Sequence, residues 1–356
     1  MNTYTFDDNF SIYCNGKGIE KEPIVIYGRG SCAQHMYEFY KKRYNIIGFA
    51  ETCPEIDLFY EKPVYNPNNI PKQAHIAIAS CAVGEISSLL YSMNYRNILN
   101  LHLIDLNINS KTWNGCIDKS NLIYIDKNKD TIKYYLNDYE SKQSFISACN
   151  YRLDYGQRIL SKSSYQQYIH PLIKFNLFST FVDCGAYIGD TYDSLSDKGI
   201  FFDNYIAIEA SIKNYAVLKN KNFKCNAEII NCCLNDIDSG YSYFSNNGTD
   251  SDMIDKNSKI KVINRSIDSI LKDNYKDMII KMDIEGAELP ALKGSINIIR
   301  KKRPCLLISI YHLAKSIIDI PKFIFSNVND YTFYCGHHST TIYDTILYCI
   351  PNEYLL

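Results

Sequence analysis

The sequence predicts an α/β chain of two doubly wound domains, and three observations carry that prediction. The 356 residues are too many for one ordinary core and suit two of typical size. Short β-branched runs, glycine-containing turns and helix-like stretches succeed one another twice, once within residues 24–51 and again within 180–209. Each succession closes on an acid, Glu51 in the first and Glu209 in the second.

In order along the chain, Ile24-Val25-Ile26-Tyr27 reads as a strand, Gly28-Arg29-Gly30 as a turn, 33–44 as a helix and 46–50 as a second strand. Residues 76–79 and 98–99 supply later strands. From about His102 to Gln167 the periodicity turns helical, with Tyr135, Leu136, Tyr139, Phe145, Ile146 and Leu153 spaced to make one apolar face. The expected division is an N-terminal α/β domain over 1–110, a helical connector over 111–170 and a larger α/β domain over 171–356. The last begins with strand 180–183, turns into a helix near 190–196 and reaches strand 205–209. Strands at 227–231, 278–282 and 305–309 follow. Two closing runs, 331–334 and 342–350, are split by His337-His338-Ser339-Thr340 and predict an antiparallel pair on the edge of a parallel sheet.

Composition excludes several classes. A net charge of −1 with no long Lys/Arg block offers no field for a phosphate backbone, so nucleic acid is not an expected partner. The first fifteen residues are polar and carry Asp7 and Asp8 where a cleavable signal needs an apolar core, and no apolar run approaches a membrane span. A soluble, cytoplasmic protein is the expectation. The 13 cysteines include no Cys-x-x-Cys pair, and Cys81, Cys184, Cys305 and Cys349 lie within apolar segments. They predict buried free thiols, with neither a disulfide framework nor a metal site.

The strongest local signal is Val182-Asp183-Cys184-Gly185-Ala186-Tyr187-Ile188-Gly189-Asp190, following a strand and opening a helix. Glycines there let backbone approach a ligand at the carboxyl edge of the sheet. Asp183 suits an ammonium group, and Glu209 can accept two ribose hydroxyls, which together suit S-adenosylmethionine. Two alternatives stand beside this one: a turn with no ligand, and a nicotinamide dinucleotide site. Against the dinucleotide, Gly185 and Gly189 do not form Gly-x-Gly-x-x-Gly, and Asp183 would repel a pyrophosphate.

Lys281-Met282-Asp283-Ile284-Glu285-Gly286-Ala287-Glu288 ends a strand and starts a helix expected to contain Leu289, Leu292 and Ile296. Its acids gather at the same sheet edge, where a carboxylate can take the proton of an acceptor hydroxyl. Acids complementing a helix dipole are the plainer reading. Two carboxylates are thin grounds for a divalent cation, so no metal is expected. Ser309-Ile310-Tyr311-His312 follows the next strand, and a histidine at that edge can serve as acid, base or substrate ligand. His338 is a further candidate for substrate binding, with an exposed turn as the plainer reading.

With these residues assembled, the segment from about Phe178 to Pro351 resembles the FkbM family of methyltransferases. The matching pieces are the Val182 to Asp190 turn, Ile208-Glu209-Ala210, Ser266-Ile267-Asp268, the Lys281 to Glu288 run with Leu292-Lys293-Gly294, and Asp344-Thr345-Ile346-Leu347-Tyr348. At Asp344 the family pattern has Glu. The resemblance implies a seven-strand, doubly wound (Rossmann-like) methyltransferase sheet with an antiparallel closing hairpin. It also implies S-adenosylmethionine as cofactor and transfer of methyl to oxygen, often on a sugar or polyketide-like product. Carried over, Asp183, Cys184, Gly185, Ala186, Tyr187, Gly189, Asp190, Glu209 and Ala210 become cofactor residues. The resemblance makes Asp283 the acid nearest the reacting centre and leaves Asp268 a structural role; from their own positions, His312 is expected to join Asp283 in catalysis, and Glu285, His312 and His338 to face the substrate. Through Ile24 to Gly30 and Ile47-Gly48-Phe49-Ala50-Glu51, the N-terminal part looks like the small Rossmann-like domains that accompany sugar-modifying enzymes, binding a sugar nucleotide or serving as a docking module. The expected activity is methylation of a hydroxyl on a sugar or glycan intermediate of a surface polysaccharide. An NAD-dependent sugar-nucleotide oxidoreductase and an inactive binding module on the same fold are the competing expectations.

Overall fold

The computed structural model describes residues 20–80, 83–100, 119–153, 160–244, 260–271, 275–340 and 342–355. Cys81, the first fifteen residues and residues 102–118, which include the start of the expected connector, lie outside them. The chain divides into two compact units: residues 1–122, 147–162 and 339–343 form one, and 123–146, 163–338 and 344–356 the other.

The first unit runs β1 (Pro23–Tyr27), α1 (Ser31–Tyr40), β2 (Asn45–Ala50), β3 (Leu58–Phe59), β4 (Lys62–Tyr65), β5 (His75–Ile78), α2 (Val83–Ser92) and β6 (Ile98–Asn100). Its sheet has the order β3-β4-β2-β1-β5-β6, parallel except where β3 meets β4. The alternation of β1 separates two cores, as side chains of a strand point to opposite faces in turn. Ile24 and Ile26 pack with Met36, Tyr37 and Tyr40 of α1, whereas Val25 and Tyr27 pack with Leu90 of α2, Tyr95 and Ile98.

Next come α3 (Lys119–Tyr135) and α4 (Tyr139–Leu153). The single apolar stripe expected across them is broken. Leu136 and Phe145 are buried, but Tyr135 and Tyr139 are exposed. The reason is local: Asp138 accepts from the backbone N–H of Ser141 at 2.7 Å, which starts a new helix and resets its phase.

The second unit holds β7 (Thr180–Cys184), α5 (Asp190–Asp197), β8 (Asn204–Glu209), α6 (Ile212–Lys219) and β9 (Asn226–Asn231). It continues with β10 (Cys233–Leu234), β11 (Tyr241–Phe244), β12 (Ile260–Arg265), β13 (Met278–Met282), α7 (Glu288–Lys293) and α8 (Ile296–Lys302). β14 (Cys305–Ser309), α9 (Ser316–Asn327), β15 (Tyr331–His337) and β16 (Thr345–Pro351) complete it. The seven-stranded sheet has the order β15-β16-β14-β13-β7-β8-β9, and β10, β12 and β11 form a small separate one. β9 to β14 of the large sheet are parallel, and β16 and β15 are antiparallel, as the closing runs predict. β7, β13, β14 and β16 are buried along their whole length, as strands covered on both faces must be. Cys184, Cys305 and Cys349 are buried free thiols.

Two details depart from the sequence reading. The expected helix through Leu289, Leu292 and Ile296 is two helices, α7 and α8, divided at Gly294 and Ser295. A Cβ on Gly294 would overlap the carbonyl oxygen of Asn235, so the break is fixed by close backbone approach. His337 is the last residue of β15 and almost fully buried, not a turn residue; it sits 2.8 Å from Thr345 Oγ1, in register with Thr345 across the hairpin.

Candidate active site

β7 has β8 on one side and β13 on the other, so the chain departs in one direction and returns from the opposite one. A crevice opens beyond the strand ends at such a point. The turn after β7 lies there. Gly185 at φ +77°, Tyr187 at +49° and Gly189 at +83° bend it, and a Cβ on Gly185 would overlap the carbonyl oxygen of Asp283. Only glycine fits that position. Cys184 and Ala186 are buried and shape the turn, while Asp190 is the exposed first residue of α5.

Asp183 is completely buried, and both its oxygens are engaged. Oδ1 accepts from Lys281 Nζ at 2.8 Å and Oδ2 from Tyr205 Oη at 2.9 Å. Lys281 stands directly opposite Asp183 in the β7–β13 register, so their side chains leave the same face. Its ammonium also donates to the carbonyl oxygen of Gly185 at 2.7 Å. Burial opposes charge on Lys281, but Asp183 and Asp283 outweigh it and hold its pKa above the ordinary value. In this arrangement Asp183 fixes the turn through Lys281.

Glu209 ends β8 and is nearly buried. Oε2 accepts from the backbone N–H of Tyr187 and Oε1 from that of Ser211, each at 2.8 Å. Burial raises its pKa, and those two N–H groups work against the rise. Each carboxylate oxygen retains acceptor capacity beyond one N–H. Ala210 adds a carbonyl that accepts from Asn231 Nδ2 at 3.0 Å.

Across the crevice, three carboxylates surround one imidazole. His312 Nδ1 lies 2.8 Å from Glu288 Oε1, and its Nε2 lies 3.2 Å from Asp283 Oδ1 and 3.6 Å from Glu285 Oε2. Burial disfavours the imidazolium, yet Glu288, Asp283 and Glu285 hold the pKa of His312 up at about 9. The ring is a cation at neutral pH. Glu288 is fully buried and also accepts from the N–H groups of Ile284 at 2.9 Å and Gly286 at 3.3 Å. Its place is structural, at the turn into α7.

Asp283 is the best-anchored acid. Tyr168 Oη donates to its Oδ2 at 2.6 Å, and Tyr311 Oη to its Oδ1 at 3.1 Å. Burial pushes its pKa up, but His312 and Lys281 prevail and keep the carboxyl below its ordinary value. Glu285, at φ +55°, is the more exposed of the two acids. Burial raises its pKa, with His312 acting in the opposite sense.

Asp183, Gly185, Glu209, Asp283, Glu285 and His312 thus gather along one sheet edge. His338 stands further off: its Nε2 is 2.9 Å from Tyr348 Oη, and that oxygen accepts from the backbone N–H of Tyr168 at 3.2 Å. Burial lowers the pKa of His338 to about 4, so it is neutral. Tyr168 is the residue that sequence reasoning misses. It lies in irregular chain before β7 at φ +65°, and nothing in its neighbourhood of the sequence marks it as facing an acid 115 positions away. Asp283, Glu288 and His312 also place one ligand atom each within 4.8 Å of one another, a spacing that a metal ion could occupy. His312 competes with any ion there, since its proton binds where the metal would.

Residues 183–337 match the model of the methyltransferase FkbM domain. That segment is similar to FkbM methyltransferase domains. The methyltransferase FkbM from Methylobacillus flagellatus KT shares the fold, with a TM-score of 0.70 and 21% identity over 92% of this chain and 90% of that one. The N-terminal domain of human METTL16 in complex with SAH aligns at a TM-score of 0.30 and 11% identity, over 68% of this chain and 98% of that one. A putative RNA methyltransferase from Pyrococcus horikoshii aligns at 0.27 and 10%, over 60% and 97%. No curated protein matches the chain. The FkbM domain spans β7 to β15 and so includes the turn, Glu209, Asp283, Glu285 and His312, whereas Tyr168 precedes it.

Proposed function

We propose that the chain transfers a methyl group from S-adenosylmethionine to a hydroxyl, acting on a sugar or glycan acceptor of surface polysaccharide synthesis in the cytoplasm. The observation that carries this reading is the acid-rich carboxyl edge built around the glycine turn. The residues fit the donor. Glu209 and the exposed parts of Asp283 and Glu285 suit a ligand bearing a sulfonium and an ammonium, and they oppose a pyrophosphate, which weighs against the NAD-dependent alternative. The turn 185–190 with Glu209 and Ala210 would hold the cofactor, Glu209 through its ribose hydroxyls. Bound there, S-adenosylmethionine supplies an electrophilic methyl group.

The protein's own contribution is alignment and proton removal. Asp283, fixed by Tyr168, Tyr311 and His312, accepts a hydrogen bond from the acceptor hydroxyl and takes its proton as the oxygen gains the methyl. An alkylated hydroxyl is a strong acid, so a carboxylate of low pKa suffices. His312, already protonated, positions Asp283 and neutralises part of the acid cluster. Glu285 is the polar contact for further hydroxyls of the acceptor, and His338 supports that side through Tyr348 and Tyr168.

Calorimetry with S-adenosylhomocysteine and with NAD tests the cofactor, and methyl-labelled S-adenosylmethionine with a panel of glycosides tests the transfer. Binding of S-adenosylhomocysteine and label appearing on a glycoside oxygen are expected. Binding of NAD alone would sink the proposal.

A further inference from the structure

A second candidate site lies wholly within the first unit. β1 sits between β2 and β5, so that sheet has its own point where the chain reverses direction, and with it a crevice beyond the strand ends. A cavity of about 720 Å³ opens there, and the described residues that line it all fall between Tyr27 and Leu89. Its size suits one small organic molecule.

The turn beneath it is constrained on one side and open on the other. Gly28 has φ +119°, and a Cβ there would come within 2.9 Å of the carbonyl oxygen of Ala79, so the turn is pinned to the end of β5. A Cβ on Gly30 would meet nothing within 4 Å. Glu51, directly after β2, lies 2.6 Å from Arg29 Nη2, and the Nε of Arg29 is buried without a hydrogen-bond partner among the described residues. Tyr27 Oη and Thr52 Oγ1 are 2.9 Å apart. α2 adds an apolar stretch of wall with Ile86 and Leu89.

The charges select the ligand's chemistry. Among the described residues, Glu51, Glu55 and Glu85 line the cavity against one guanidinium, that of Arg29, which is already paired. Lys162 answers Glu85 at 3.2 Å from an exposed position. A diphosphate would meet a net negative wall. A ring with vicinal hydroxyls would meet acceptors, and a flat heterocycle attached to it would find Ile86 and Leu89. We infer that this cavity binds a nucleoside moiety, with its ribose hydroxyls donating to Glu51 and its base against α2.

Calorimetric titration of the full chain with adenosine and uridine, their 2′,3′-dideoxy forms and their 5′-diphosphates tests this. One of the two nucleosides is expected to bind. Its dideoxy form should bind about tenfold more weakly, the worth of a hydrogen bond to a charged acceptor. Glu51→Gln should cost the nucleoside the same factor and leave the dideoxy form unaffected, which assigns the binding to this cavity and not to the second unit. Circular dichroism checks that the variant is folded, and the dideoxy comparison in the unaltered protein stands without it. The inference is overturned if neither nucleoside binds at millimolar concentration, if removing the hydroxyls changes nothing, if Glu51→Gln binds as the parent does, or if the diphosphate binds tenfold more tightly than the nucleoside.

Discussion

His312 has carboxylates at both ring nitrogens, and its charge gives the site a direction in pH. Its pKa rises from the ordinary 6.5 to about 9 in the fold. A group raised in this way stabilises the folded state fully below about 6.5, and that contribution is lost as the pH climbs through about 9. The shift corresponds to at most about 3 kcal/mol. Urea unfolding between pH 6 and pH 10 should therefore show a steeper loss of stability in the parent than in His312→Gln. The same titration separates two roles in catalysis. If the imidazolium positions Asp283, kcat/KM falls as the pH passes about 9; a rise there would make neutral His312 the base. Of these residues, the acids and the histidine are legible in the sequence because each follows an apolar run and so stands at a strand end. Their partners are not. Lys281 reaches Asp183 across 98 positions, and only the strand register reveals that the two are opposed.

Among the elements, α8 shows how a motif residue can serve the site from outside it. Asp268 accepts from the backbone N–H groups of Ile298 at 2.8 Å and Asn297 at 3.2 Å, satisfying donors at the start of α8 that no helical carbonyl reaches. Asp268→Ala should cost about 1 kcal/mol, as the loss of a capping side chain does. Thermal unfolding measures it, and binding of S-adenosylhomocysteine should be unchanged; an unshifted Tm would remove the capping role. Strand positions were legible to within a few residues, since β-branched runs fully buried in a parallel sheet leave a strong signal. The helices were less so. The division of α7 from α8 depends on Gly294 meeting Asn235, and the division of α3 from α4 on Asp138, both of which are facts of packing and capping that apolar periodicity does not encode.

For the molecule as a whole, the order of strands in the two sheets decides where chemistry is possible. In each, the first strand lies inside the sheet with neighbours on both sides, and in each an acid stands at the end of the strand that follows it in sequence, Glu51 directly after β2 and Glu209 as the last residue of β8. That repetition was readable from the spacing of glycine turns and acids. The closure of the larger sheet rests on its far edge: β16 is buried throughout and lies between β14 and β15. A chain ending at residue 343 would leave β14, equally buried, with an open apolar edge. It is expected to accumulate in the insoluble fraction, and soluble expression with a native circular dichroism spectrum would contradict that. No helix among the described residues is long and apolar enough to cross a membrane.

The meeting of Gly185 with the carbonyl oxygen of Asp283 limits how this protein can diversify. There is no slack between the two loops, so neither can lengthen or shift by itself to admit a different acceptor. A change of substrate must be written in the exposed parts of the rim: Glu285, and Leu313, whose side chain would touch a Cβ on Gly286. Directed libraries confined to those two positions would sample new acceptors while leaving the seam beneath them, and the Tyr168 anchor of Asp283, intact.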